Sequence, residues 1–290
     1  MSNPKEIKRK ILSIESVVKT TEAMKMISIV KLRKTKNFFM QVKIYMDFIE
    51  SILLDLLSVR DKKIFEENQY FLSKGKIKLF IILTSDRGLC GAFNSLIFSK
   101  INHIFKKKED LHNEYMFLSI GKKGFDFLCR NQEYYNMYNK NCIESNLSNQ
   151  KIKFLMSELI LDFLKKKFSS IYLIYNHLKK SSFREVVIEK LLPISIGNEI
   201  KKTSEISHIL EPSQKEILNF IIPKFLNAKF LKIFWESITA EHTSRMRCMH
   251  QATENAYKIK HDLILHYNKE RQTTITKEIL EVISGLESLK

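Results

Sequence analysis

Apolar residues in the first sixty positions recur at alternating steps of three and four. Ile7, Ile11, Ile14, Val18 and Thr21 make one series, and Phe38, Val42, Tyr45, Ile49, Ile52 and Leu56 make another. With no internal Gly or Pro after Pro4, itself tolerated in a first turn, this spacing predicts one long amphipathic helix over 1–60. The last third, 212–290, repeats the theme. After Pro212 and Pro223 the pattern is helical to about Ser284, with Met249, Ala252, Ala256, Ile259 and Leu263 on one seam and Ile275, Ile279, Val282 and Leu286 on another. A helix of roughly 60 residues is about 90 Å long at about 1.5 Å per residue, too long to be buried inside a domain of this size. Each stripe must therefore be covered by something, and the two helices are expected to cover each other as an antiparallel coiled coil.

Between 76 and 196 the period changes. IKLFIIL reads as a buried strand, SLIFSKINHIFKK as a helix, EYMFLSI as a strand and KKGFDFLCRN as a helix. NQKIKFLMSELILDFLKKKF is helical again, and SIYLIYN and REVVIEKLLPIS are strands. Alternation of this kind predicts a small, mostly parallel sheet flanked by helices. The expected architecture is a Rossmann-like α/β domain inserted between the two halves of a long antiparallel coiled coil.

Composition adds little to the fold and more to the partners. The chain has 290 residues, only 7 Gly and 4 Pro, and a formal charge of +17 from 49 Lys and Arg against 32 Asp and Glu. Such a surface attracts nucleic acid, anionic lipid or an acidic protein. The basic residues are nevertheless spread over all regions, without a recognisable nucleic-acid module. Cys90, Cys129, Cys142 and Cys248 lie far apart with no CxxC pair, which suggests neither a disulfide framework nor a zinc ribbon. No apolar run is long enough to span a bilayer, and the charged start does not look like a signal peptide.

Three places invite a chemical reading. TSDRGLCGAFN, from Thr84 to Asn94, joins a strand to a helix, where anions bind in doubly wound folds, yet neither GxGxxG nor GxxxxGK[ST] is present. Gly121-Lys122-Lys123-Gly124 is equally short of either pattern. Glu241, His242, Cys248 and His250 crowd one helical segment, but Cys248 and His250 are two apart and face different sides. A structural βα turn through Asp86, Arg87, Gly88, Cys90 and Gly91 is the expectation. The polar residues Ser244, Thr253, Asn255, Asn268, Thr273 and Thr274 thin out the last helix's seam, as suits a surface that is gripped and released.

At three blocks the chain resembles the gamma subunit of F-type ATP synthases, in order and near spacing: IKRKILSIESVVKTTEAMKMISIVKLRK, LTSDRGLCGAFN, and SRMRCMHQATENAYKI followed by LILHYNKERQTTITKEILEVISG. The resemblance implies a rotor that couples a rotating membrane ring to catalysis, with no active site, cofactor or metal of its own. It implies as partners the alpha, beta and epsilon subunits and the c-subunit ring, not nucleic acid, with indirect membrane attachment at the cytoplasmic face of a bacterial inner membrane. Carried over by motif position, its contacts with the alpha and beta subunits fall on Met24, Lys25, Lys31, Arg33, Arg245, Arg271, Gln272, Thr276 and Glu278. Three departures stand beside it: Glu22 where lysine is common, Ser28 to Val30 in place of an alanine-rich step, and His242, Thr243 and Ser244 where Arg or Gln precedes two alanines. A basic nucleic-acid-binding coiled coil is the alternative, separable by salt-dependent retention on DNA. A small-molecule enzyme using the sheet domain would bind a nucleotide saturably.

Overall fold

A computed structural model describes residues 4–58, 68–72, 75–105, 114–131, 135–138, 141–145, 147–178, 184–194, 211 and 213–288. Pro212, Lys106, Lys107 and Ser195, used above as element boundaries, lie outside these. In chain order the elements are α1 (Pro4–Ser58), β1 (Ile77–Leu83), α2 (Phe93–Phe105), β2 (Tyr115–Ile120), α3 (Lys122–Arg130), α4 (Asn149–Leu164), β3 (Phe168–Leu178), β4 (Arg184–Leu192) and α5 (Gln214–Glu287). The chain divides into two compact units, residues 1–30 with 245–290, and residues 31–244.

In the larger unit the strands lie in the order β2-β1-β3-β4. β1 runs parallel to both β2 and β3, while β4 is antiparallel to β3. Because strand side chains alternate between faces, β1 sends Leu79, Ile81 and Leu83 one way and Phe80 and Ile82 the other. The first face packs on Met46, Ile49 and Leu53 of α1, Met156 and Leu159 of α4, and Leu226, Phe230 and Phe234 of α5. The second meets Ile97 and Ile101 of α2 and Leu128 of α3, and is largely aromatic, with Phe80 stacked 5.0 Å from Tyr172. α4 opens on Ser148, whose side chain accepts from the Lys151 N–H and so satisfies one of the free donors of the first turn. In this unit α1 and α5 run antiparallel: the Gln214 amide donates to the Leu56 carbonyl, and Phe38 stacks 5.0 Å from Trp235.

The smaller unit contains an antiparallel helix pair as well. Thr253 Oγ1 lies 2.9 Å from Thr21 Oγ1, and Lys260 lies 3.5 Å from Glu15, so one helix descends as the other climbs. Ile7 and Val18 are buried on α1, with Met249, Thr253 and Ala256 on α5.

Two seams differ from the sequence expectation. On α5 the buried positions are Met249, Thr253 and Ala256, with Ala252, Lys260 and Leu263 half-buried, while Ile259, expected on the seam, is exposed. A seam stepping four then three is as regular as one stepping three then four, and Thr253 fits inside because its hydroxyl is satisfied by Thr21 and the Met249 carbonyl. On α1, Met46 and Leu53 are buried where Tyr45 was expected, and Tyr45 is exposed. A tyrosine's polar tip suits the exposed side, and unbranched Met46 packs into the core against the sheet.

Candidate functional site

The loop after β1 is built by main-chain bonds that converge from three segments. The Asp86 carboxylate accepts the Lys122 N–H at 3.1 Å, the Ser145 N–H at 3.0 Å and the Ser145 hydroxyl at 2.7 Å. Next to it, the Lys123 N–H donates to the Ser85 carbonyl at 3.1 Å and the Gly124 N–H to Thr84 Oγ1 at 2.9 Å. The first three amides of α3 are thus all occupied. A helix N-terminus with free amides attracts phosphate; here the protein has supplied its own anion. Lys122 then reaches Glu144 at 2.9 Å, and this hydrogen bond and charge raise the pKa of its ammonium.

The two glycines of the second pair are explained by contact with this loop. Gly121 has φ 111°, a region that L side chains rarely adopt, and a Cβ there would stand 2.2 Å from the Thr84 carbonyl oxygen. A Cβ on Gly124 would stand 2.3 Å from Ser119 Oγ. Gly88, by contrast, has nothing within 4 Å of an added Cβ.

Cys90 is buried, and its surroundings give it a packing role. The Asn94 amide donates to Ser85 Oγ at 2.7 Å and lies 3.4 Å from Cys90 Sγ, while the Ser85 N–H donates to Asn94 Oδ1 at 3.1 Å. Cys90 and Phe93 pack on Leu178 of β3 and Ala240 of α5, and the Ser244 hydroxyl donates to the Cys90 carbonyl. The Asn176 amide, at the same end of β3, donates to the Phe93 carbonyl at 2.9 Å. In open α/β sheets ligands bind beyond the carboxyl ends of neighbouring strands whose connections diverge. Here Glu236, Ala240 and Ser244 of α5 lie against the end of β3 and the loop that follows β1.

The remaining sequence-predicted residues are on helices. Met24, Arg271, Gln272, Thr276 and Glu278 are exposed, and Lys25 and Arg245 are half-buried, all in the smaller unit; Lys31 and Arg33 are exposed in the larger. They do not form one cluster. Arg245 and Arg271 are separated by roughly 40 Å along α5 at about 1.5 Å per residue. Gln272 and Thr276 are adjacent turns of one face, tied by the Thr276 hydroxyl on the Gln272 carbonyl at 2.9 Å. His250 faces Glu254 at 3.4 Å, and among the described residues no three metal-ligating side chains come together.

Sequence reasoning missed Ser145 and Glu236. Ser145 is 59 residues from Asp86 and carries no local signal. Glu236, the one acidic residue in FLKIFWESITA, was a visible oddity in an apolar run.

Past Thr274 every described position of α5 is exposed, including Ile275, Ile279, Leu280, Val282, Ile283 and Leu286. Following the antiparallel register of Glu15 with Lys260, Pro4 of α1 stands level with roughly residue 271. Beyond that level no described residue of α1 lies beside it. No described helix is long and apolar enough to cross a membrane.

The ATP synthase family model matches residues 3–289. The chain is 36% identical to the ATP synthase gamma chain of Christiangramia forsetii over 100% of its own length and 99% of that protein's, and 32% identical to that of Geotalea daltonii over 100% of both. Among solved structures it resembles a chain in the OSCP/F1/c-ring part of the Euglena gracilis mitochondrial ATP synthase, with TM-score 0.64 and 16% identity over 99% of this chain and 94% of that one. It also resembles a chain of the Tetrahymena thermophila central stalk and c-ring, with TM-score 0.56 and 22% identity over 80% and 99%. At those identities the structural likeness speaks for the fold.

Proposed function

Because this chain belongs to the ATP synthase gamma chain family and is a subunit of that enzyme's central-stalk rotor, we propose that α5 and α1 work against the catalytic subunits through surfaces this chain leaves uncovered. The observation that carries the reading is the end of α5. Six large apolar side chains stand exposed there between Ile275 and Leu286. A helix end of that kind is unstable alone and is supported by a sleeve that surrounds it without gripping any one side chain. A hexamer of alternating alpha and beta subunits supplies such a sleeve. The ring of c subunits and the epsilon subunit then take the other end, and the chain sits at the cytoplasmic face of a bacterial inner membrane without spanning it.

The catalytic sites in this proposal belong to the beta subunits. Among the described residues, α5 lies against the end of β3 and the loop after β1, and the first turn of α3 is capped from within, which supports a mechanical role. Its turning would bias the conformations of the beta subunits by making different contacts with each, which is coupling in the thermodynamic sense. Met24, Lys25, Lys31, Arg33, Arg245, Arg271, Gln272, Thr276 and Glu278 make these contacts. The excess of basic over acidic residues fits acidic loops on the partner, and exposed ion pairs worth about 0 to 1 kcal/mol each are weak enough to be exchanged during rotation.

Arg271 and Gln272 lie at the level beyond which no described residue of α1 runs beside α5. Reconstitution with alpha and beta subunits tests them: Arg271→Ala and Gln272→Ala are each expected to lower ATPase turnover several-fold. Unchanged turnover in both removes the residue assignment. Failure of the unmodified chain to assemble with alpha and beta removes the proposal.

A further inference from the structure

Lys229, Glu236, Ala240 and Ser244 follow one side of α5 at steps of seven, four and four, over roughly 22 Å of helix. The first two meet strands β4 and β3, and the last two meet the loop that follows β1. Lys229 Nζ lies 2.9 Å from Glu189 Oε1 of β4, whose second oxygen accepts the Tyr175 hydroxyl at 2.9 Å. Glu236 Oε1 accepts the Leu178 N–H of β3 at 3.1 Å and lies 2.6 Å from His177 Nδ1. Ala240 packs on Cys90 and Phe93, and Ser244 donates to the Cys90 carbonyl. Glu236 is 4% exposed. A cavity of about 250 Å³ lies at the Lys229 and Glu236 end of the stripe, lined also by Tyr175, His177, Glu189 and Glu50.

Resting on the rotor reading above, we infer that this stripe is a register lock, fixing the angle at which α5 sits against the sheet, with Glu236 as its central positioning residue. The apolar packing around it is non-directional, and leucine and phenylalanine positions tolerate being re-buried after a small shift. The lock does not tolerate one. Sliding α5 by one residue advances it about 1.5 Å and turns it about 100°. That move takes Glu236 away from the Leu178 amide and leaves a buried carboxylate unpaired, one of the costlier defects in a protein interior; holding register is the best-attested use of such groups. In a rotor loaded at one end, a joint that slips under load loses rotation to the slip, and one that is merely slack spreads the angle at the other end.

The test uses the whole ATP synthase carrying this chain, reconstituted in vesicles, with two readouts: ions pumped per ATP hydrolysed, and the angular spread of a rotor-borne probe in stalled single complexes. In Glu236→Met with Ser244→Ala, pumping per ATP is expected to fall at least twofold and the spread to widen, while ATP hydrolysis stays within twofold of the unmodified complex. Glu236→Gln, which keeps an acceptor for Leu178, is expected to recover most of the ratio. An unchanged ratio and spread in the double variant overturns the lock. Should that variant not assemble, Ser244→Ala alone decides, and an unaltered spread there overturns it. An unmodified complex that assembles but pumps nothing overturns the rotor reading and the lock together.

Discussion

Gly121 and Gly88 offer a paired measurement of how tightly the loop after β1 is built. In Gly121→Ala the new methyl stands at φ 111° and 2.2 Å from a main-chain carbonyl oxygen. The backbone conformation alone costs an L residue about 1 to 3 kcal/mol. Relieving the overlap costs about 1 to 3 kcal/mol more, because Thr84 is fixed by its bonds to Ile120 and Gly124 and cannot swing away. The sum is about 2 to 6 kcal/mol. Gly88→Ala meets nothing within 4 Å, so its effect is set by the unfolded chain and stays within about 1 kcal/mol, stabilising if anything. The assay is urea unfolding of the full chain followed through Trp235, the single tryptophan, which belongs to the same compact unit as the loop. With a slope of about 3 kcal/mol per molar urea, the steep end of the range and the one suited to a unit of this size, the Gly121→Ala midpoint falls by about 0.7 to 2 M and the Gly88→Ala midpoint hardly moves. Equal midpoints for the two variants would refute the account of the loop as a close-packed lock.

Further outcomes follow from the same geometry. Asp86→Ala removes the acceptor for the Lys122 and Ser145 amides and is expected to cost about 2 to 3 kcal/mol; inorganic phosphate at tens of millimolar should recover part of it, and absence of both effects refutes Asp86 as a built-in anion. Burial pushes the Glu189 carboxyl up, but Lys229 and the Tyr175 hydroxyl more than offset it and hold the group below its ordinary 4.5; Asp162, against Lys167 and Tyr138, is held below 3.8 in the same way. Both contributions are present above those ordinary values and are lost as the pH falls through the lowered ones, so thermal stability should drop from about pH 5 downward, less steeply in Lys229→Met, and a flat profile would contradict the pairing. Thr21→Val with Thr253→Val replaces both partners of a seam hydrogen bond by apolar groups of the same shape and should change stability by less than about 1 kcal/mol; Thr253→Val alone should cost more than the double change.

Much of the fold was legible because it rests on period. Ile7, Ile11, Ile14 and Val18 announce α1, and the change to alternating Leu79, Phe80, Ile81 and Ile82 announces a strand buried on both faces. Register within the helix seams was less legible. Tyr45 and Met46, or Ala252 and Thr253, are neighbours that fit the same heptad, and only the opposing surface chooses between them. The turn through Asp86 was recognisable as a turn, yet its partners were not, since Ser145 and Ser244 reach it through space from distant parts of the chain. Cys90 had no account from sequence because the groups it packs on, Leu178 and Ala240, are far along the chain: it is a small, soft group fitted against them.

The carboxylate of Asp86, held on the amides of Lys122 and Ser145, has a consequence for the working enzyme. A machine that makes and splits ATP is bathed in it, and a doubly wound sheet with an open mouth would sample that pool whenever its level rose. With an acidic side chain already on those amides, phosphate has to displace Asp86 before it can bind the first turn of α3, so the described loop competes with the fuel instead of receiving it.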